Sequence, residues 1–417
     1  MDQPTAPLPP QHPSYASALA APPPPRMPRH RGRRIGELTA VAVLTAALAS
    51  GGTWGVMSLT DDGTTAASST SASTSGDSAA SVVPVSSASK TNPDWNAVTA
   101  AVTPSVVSIT VSAGGSGGEG SGVVLDKEGH VLTNHHVVSG AGDDATITVT
   151  LSDGKTYRAS IAGEDASTDL AVLTLEDPPD DLQPITVGSS SGLEVGDPVM
   201  AVGNPLGLSG TVTTGIVSAL DRPVTTSSTE SEQQDPFGQQ QQQQSSQVVT
   251  SAIQTSAAVN PGNSGGALVD AAGRLVGINS SIASLGSSSG QSGSIGIGFA
   301  IPVDEAQWIA EQLIEDGQAE HAFLGVTPID GTAELGSATR SGAQIRSVSD
   351  GSPAEAAGLQ EGDLVVGVDD STVTSAESLV GIIHSHRIGT KVSLAVVRDG
   401  EEQTIEATLG TAPTSQG

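Results

Sequence analysis

Between residues 94 and 302 apolar and polar positions alternate in short stretches or gather in brief apolar runs, each closed by Gly, Asp or Asn. That spacing predicts strands over 106–112, 122–126, 146–151, 157–162, 170–175, 198–203, 212–220 and 274–280, the mark of an all-β barrel or sandwich. At 303 the period changes. Ala306, Ile309, Ala310, Leu313 and Ile314 recur at helical spacing, predicting a helix over 303–316 with one apolar face, ended by Gly317. Beyond 320 the two kinds of pattern mix, with strands over 344–348, 364–368, 392–398 and 403–407 and helices over 353–357 and 375–384. A compact α+β domain over 320–412, with its own core, is expected.

The first 93 residues carry no such pattern. Residues 1–34 are Pro-rich, with four prolines in a row at 22–25, and close on Arg26, Arg29, Arg31, Arg33 and Arg34. No core can form from that composition, so a disordered tail is expected. From 38 to 59 run 22 residues without a charge, rich in Ala, Val and Leu, against the ~20 a helix needs to cross a bilayer. Arginines precede this stretch and Asp61 and Asp62 follow it. The positive-inside rule then predicts a single anchor over 35–59 with a cytoplasmic amino terminus. A cleaved signal peptide is the alternative, because Ala47-Leu48-Ala49 resembles an A-x-A cleavage site. Residues 60–93, rich in Ser, Thr and Ala, read as a flexible linker.

Charge narrows the partners. The net charge of −29 splits into about +3 over residues 1–37 and about −32 over the other 380. So acidic a body repels phosphate backbones, and no nucleic-acid partner is expected. Cysteine is absent, which excludes disulfides and thiolate metal sites. The acids form no recognisable calcium loop, and neither metal nor cofactor is expected. One insertion, 225–247, contains six consecutive glutamines and is expected to be disordered, a tolerated surface loop.

Candidate chemistry centres on Asn260-Pro261-Gly262-Asn263-Ser264-Gly265-Gly266. A hydroxyl is a weak nucleophile that needs a base for its proton and donors for the oxyanion. Glycines let the backbone turn tightly and leave N–H groups bare beside Ser264. In serine-protease geometry those donors are the amides of Ser264 and Gly262. The string also fits G-x-S-x-G, the elbow of α/β-hydrolases, but that fold needs a helix after the serine and the histidine later in the chain. Here residues 267–278 read as strand, turn, strand, and His321, His384 and His386 lie in no catalytic context. Candidate bases in the β region are His130, His135 and His136; a His-His pair alone is more often a surface dyad or weak metal site. Asp169 opens the apolar run 170–175, where it is either a turn residue or a functional carboxylate. The order His, Asp, Ser is that of the chymotrypsin-type double barrel.

Here the chain resembles the HtrA (DegP-like) family of trypsin-fold serine proteases. T-N-x-H-V-V stands at 133–138, D-L-A-V-L at 169–173 and N-P-G-N-S-G-G at 260–266, with supporting strings at 203–208, 215–220 and 298–302. The resemblance implies a mostly β fold, a trypsin-like double β-barrel over 94–318 followed by a PDZ domain over 320–412, arranged as in membrane-anchored members. It makes His136 the base, Asp169 the acid and Ser264 the nucleophile of a serine endopeptidase for unfolded or misfolded proteins outside the cytoplasm. Phe323-Leu324-Gly325-Val326 resembles the family's carboxylate-binding loop, implying that the amides of Leu324, Gly325 and Val326 hold peptide C-termini. A homotrimer is implied as well. The chain departs from the family at Ser256, where Asp is usual, and at Ala267, where Pro is usual. The glutamine-rich insertion falls where relatives carry a sensing loop. A chaperone-like holdase, or a PDZ scaffold with little proteolysis, is the alternative reading.

Overall fold

The computed structural model describes residues 90–412, apart from 114–115, 140–144, 206–209, 228–246 and 282–295. The expected tail and anchor, and nearly all of the linker, lie outside the described residues. Among those described, no helix is long and apolar enough to cross a membrane.

A short helix α1 (Trp95–Val102) leads in, capped by Asp94, whose carboxylate accepts from the Ala97 amide at 3.1 Å. Two closed barrels follow. The first holds β1 (Val106–Ala113), β2 (Ser116–Val124), β3 (His130–Thr133), β4 (Thr146–Thr150), β5 (Thr156–Asp165) and β6 (Leu170–Leu175), in spatial order β1-β2-β3-β6-β5-β4. Between β3 and β4 lies a single helical turn, α2 (His135–Val138). The second barrel holds β7 (Pro198–Gly203), β8 (Thr211–Ser227), β9 (Gln247–Thr255), β10 (Ala267–Asp270), β11 (Leu275–Ser280) and β12 (Gly298–Pro302), in order β10-β11-β12-β9-β8-β7. The two orders are the same path. Strand for strand, the second barrel repeats the first, and closure leaves no open sheet edge in either.

Small β-branched and aliphatic side chains fill both barrels, as the scarcity of aromatics requires. Val107, Ile109, Val131, Val149 and Leu173 pack inside the first, and Val199, Val217, Ile253, Leu268 and Val276 inside the second. A third cluster, including Val102, Leu132, Leu170, Met200, Ala267 and Ile278, spans both barrels and continues onto helix α3 (Val303–Glu315) through Ala306, Ile309 and Leu313. The predicted apolar face of α3 is therefore the one that buries. Gly163 of β5 lies close against α3: a Cβ there would lie 2.6 Å from the Leu313 carbonyl oxygen.

One expectation is corrected. The ends of the glutamine-rich segment are paired, not irregular: β8 runs through Thr225, and Thr225 to Ser227 match Val249 to Gln247 across the sheet. The interior of the insertion lies outside the described residues.

The carboxy-terminal domain contains β13 (Ala322–Phe323), β14 (Val326–Leu335), β15 (Ala338–Val348), helix α4 (Pro353–Ala357), β16 (Leu364–Val368), β17 (Ser371–Thr372), helix α5 (Ala376–His384), β18 (Lys391–Arg398), β19 (Glu401–Thr408) and β20 (Gly410–Thr411). Its main sheet runs β14-β15-β16-β18-β19. Ile345, Val365, Leu379, Ile382, Val392 and Leu394 form its separate core. Within that core's rim Asp363, almost fully buried, accepts two hydrogen bonds of 2.6 Å from the Arg398 guanidinium.

Candidate active site

Three loops from different strands meet where the barrels abut. The single helical turn α2, directly after β3, supplies His136. Its backbone is tied to the β5–β6 turn by Asn134 Nδ2 to the Asp169 carbonyl at 2.9 Å and by the His135 amide to the same oxygen at 3.1 Å. Those two bonds bring His136 Nδ1 to 2.9 Å from both oxygens of the buried Asp169 carboxylate, which also accepts from the His136 amide at 3.1 Å. Ser280, at the end of β11, donates to Asp169 Oδ2 at 3.2 Å. An acceptor pair on Nδ1 fixes that nitrogen as the protonated one and leaves Nε2 free to take a proton. Asp169 holds φ 58°, in the left-handed region that aspartate tolerates better than most residues but at some cost.

Ser264 comes from the loop before β10. Asn263 N bonds the Asn260 carbonyl at 2.9 Å, closing a turn in which Pro261 and Gly262 (φ 90°) occupy the positions that a type II turn reserves for Pro and Gly. Gly265 N reaches Asn279 O and Gly266 N reaches Asn263 O. These three bonds use the amides of Asn263, Gly265 and Gly266 and leave those of Gly262 and Ser264 out, as oxyanion donors require. Barrel one grips the loop through Ser121 of β2: its amide donates to Ser264 O at 2.8 Å and its hydroxyl to Gly262 O at 2.7 Å. The approach is so close that a Cβ on Gly265 would lie 2.1 Å from Ser121 O and 2.3 Å from Thr133 Oγ1.

The expected acid and base are thus joined. The hydroxyl is held differently: Ser264 Oγ makes a short hydrogen bond to Ser281 Oγ and accepts from the Ser281 amide at 3.2 Å, and no hydrogen bond joins it to His136 among the described residues. His135 points elsewhere, with Nε2 3.8 Å from Glu164. His130 pairs with Asp126 at 2.6 Å and takes no part. Ser121, Ser280 and Ser281 gave no signal in the sequence, since an isolated serine looks alike wherever it stands.

The second candidate site lies on the carboxy-terminal domain. Leu324 and Gly325 connect β13 to β14, and their carbonyls accept from Ala354 N at 2.8 Å and Ser349 N at 2.9 Å. Gly325 has φ 87°, and a Cβ there would collide with Ser352 at 2.2 Å, so no other residue fits. Among the described residues β14 is paired on one side only, with β15, and α5 packs beside it. An unpaired strand edge flanked by a helix is what strand-adding peptide recognition uses. His384 lies against His321, with ring centroids 5.8 Å apart and the rings tilted by 39°.

Comparison with known proteins decides the family. Residues 120–278 match the model of the trypsin-like peptidase domain, and residues 322–409 match the PDZ domain. The serine protease PepD of Mycobacterium tuberculosis is 42% identical over 400 residues, covering 94% of this chain and 81% of that protein. The chain belongs to the HtrA family of trypsin-like serine proteases. A probable periplasmic serine endoprotease, DegP-like, of Chlamydia trachomatis is 40% identical over 304 residues; the match covers 72% of this protease and about half, 55%, of that relative. Among solved structures, the HtrA-type protease AlgW with a tripeptide is 33% identical, with a TM-score of 0.53, and covers 78% of this protease and 99% of that chain.

Proposed function

We propose that this serine protease is an endopeptidase acting on unfolded or misfolded proteins outside the cytoplasm, by acyl transfer at Ser264. The observation that carries the assignment is the His136–Asp169 pair, closed at 2.9 Å, beside a serine whose loop leaves the amides of Gly262 and Ser264 without a hydrogen bond among the described residues. Rotation about its Cα–Cβ bond takes the Ser264 hydroxyl from Ser281 towards His136. His136 Nε2 then removes the hydroxyl proton while Oγ bonds to the peptide carbonyl carbon, and the amides of Gly262 and Ser264 receive the oxyanion. Collapse breaks the C–N bond as His136 returns the proton to the leaving amine. Water, deprotonated by the same imidazole, hydrolyses the acyl-enzyme. Asp169 holds the tautomer and stabilises the imidazolium throughout.

The PDZ domain captures substrate or regulatory C-termini by adding a strand to the β14 edge, with the amides of Leu324, Gly325 and Val326 receiving the carboxylate. The periplasmic name carried by the Chlamydia trachomatis relative supports an extracytoplasmic site of action. The same reading has residues 35–59 anchor the chain with its amino terminus in the cytoplasm, and has it assemble as a trimer. The test is a β-casein digest by residues 60–417, parent beside Ser264→Ala, with and without a peptide ending in an apolar residue. Ser264→Ala is expected to lose cleavage by several orders of magnitude with its fold intact. Equal cleavage by the two proteins overturns the assignment.

A further inference from the structure

A second buried group of titratable side chains sits where the catalytic turn meets the segment leading into the PDZ domain. Asp165, at the end of β5, turns its carboxylate back over the next three residues: it accepts from the Ser167 amide at 3.1 Å, from Ser167 Oγ at 2.5 Å, and from Thr168 Oγ1. That knot ends one residue before Asp169. From the far side His321, just ahead of β13, places Nε2 3.0 Å from Asp165 Oδ2 and 2.7 Å from Ser167 Oγ.

Among the described residues, the other titratable groups facing this pair supply no counter-charge. Glu305 of α3 is fully enclosed, and burial together with the charge of Asp165 pushes its carboxyl up to about 8, so it is neutral at pH 7. His384 of α5 lies behind the His321 ring, and its imidazole is pushed down by burial and by the His321 charge. Burial also works to raise Asp165, yet the hydrogen bond and charge of His321, with the hydroxyls of Ser167 and Thr168, hold it below the usual carboxylate range. The knot therefore stays ionised because His321 faces it. A buried carboxylate without a partner is costly enough to take up a proton or to pull away towards water, and either outcome loosens the acceptor that Ser167 and Thr168 share.

We propose that His321 is a positioning residue for catalysis: by bonding Asp165 and Ser167 it locks the turn that holds Asp169 in its left-handed conformation against His136. The lock matters because Asp169 sits at φ 58°, a conformation that costs an aspartate some free energy and from which a loosened turn can relax. This rests on the assignment of Asp169 as the acid of the triad. The contact runs from the leading edge of the PDZ domain to the catalytic turn, across 154 residues of sequence.

Two substitutions separate positioning from packing. His321→Phe keeps a ring against Trp308, whose centroid lies 6.3 Å away, and removes the nitrogens. His321→Gln keeps an N–H donor near the Nε2 position and removes the ring. In the full chain, steady-state cleavage of a fluorogenic peptide is expected to show kcat about 10- to 100-fold lower for His321→Phe with KM within about twofold, the pattern of a misplaced catalytic group. His321→Gln is expected to stay within about fivefold of the parent. In an Asp169→Asn background His321→Phe should cost nothing further, since the group it positions is already gone. The opposite order, Phe active and Gln impaired, means that the ring merely packs and overturns the proposal. So does equal kcat in both variants, or an undiminished effect beside Asp169→Asn. An Asp169→Asn single variant as active as the parent rejects the triad assignment itself, a result distinct from any outcome at His321.

Discussion

Glu305 offers a direct measurement of how much the interior of this fold costs a carboxyl group. It is the third residue of α3, almost wholly buried, and its Oε2 has no hydrogen-bond partner among the described residues. Desolvation, helped by the charge on Asp165, pushes it up to about 8 from an ordinary value of 4.5. A folded-state value above the unfolded one gives stability that is fully present below the unfolded pKa and lost as pH rises towards the folded one. Below pH 4.5 both states hold the proton; between 4.5 and 8 only the unfolded chain releases it; above 8 both release it. At about 1.4 kcal/mol per pH unit, the fold loses about 3 kcal/mol by pH 7 and about 4 by pH 8, where the folded carboxyl is half ionised. Asp165, whose folded-state value is lowered, acts in the opposite sense and only in acid, where its contribution is lost as pH falls, so the two windows do not overlap.

Glu305→Gln removes the titration and keeps the shape. Its buried amide lacks an acceptor at a cost of about 1–2 kcal/mol, the same at every pH. The variant is therefore expected to be slightly less stable than the parent at pH 5 and about 2 kcal/mol more stable at pH 7, with a larger gap at pH 8. Urea unfolding of the full chain, followed by tryptophan fluorescence at pH 5, 6, 7 and 8, measures the difference. Parallel stability curves for parent and variant would refute the buried, neutral carboxyl and the arithmetic built on it.

Two other outcomes are expected. Gly265→Ala places a Cβ against the Ser121 carbonyl oxygen and Thr133 Oγ1 at a φ of +80°, so one barrel must give way. We expect casein cleavage to drop at least about 100-fold and stability to fall by about 2–4 kcal/mol in a thermal melt; a variant with parental values of both contradicts the close approach. Arg398→Ala removes both guanidinium hydrogen bonds from a carboxylate whose side chain is 1% exposed, leaving it the Gln360 amide at 2.8 Å but no counter-charge from Arg398. A loss of about 2–4 kcal/mol in the PDZ domain is expected from urea unfolding, with Arg398→Ala/Asp363→Asn recovering part of it, because the unpaired charge is the larger penalty. No recovery in the double variant would show that the cost is not one of charge.

Elements bounded by a sharp change in pattern were legible in the sequence. The apolar run after Asp169 is β6, the run before Asn204 is β7, and Ser352-Pro353 opens α4 where its hydroxyl accepts from the Glu355 amide. The long β14–β15 hairpin was only partly seen: its arms are half-exposed and polar, so no alternation marks them. Strand β2 was expected to begin at 122, but it begins at Ser116 because β1 pairs with a glycine-rich segment that has no strand preference of its own.

The catalytic motifs could be read because each demands unusual backbone chemistry from adjacent residues, glycines at positive φ around Ser264 and an aspartate before an apolar strand. Sequence alone therefore supplied the three residues proposed to react, the trypsin-like and PDZ parts of the chain and the absence of cysteine. What neighbours those groups was settled only by the closing of the barrels. Ser121, Ser280, Ser281 and His321 each reach the site from far along the chain through sheet register and interdomain packing. Register is a property of the whole sheet and desolvation a property of the whole interior, so neither the state of Ser264 nor the neutral Glu305 is written in any short stretch of residues.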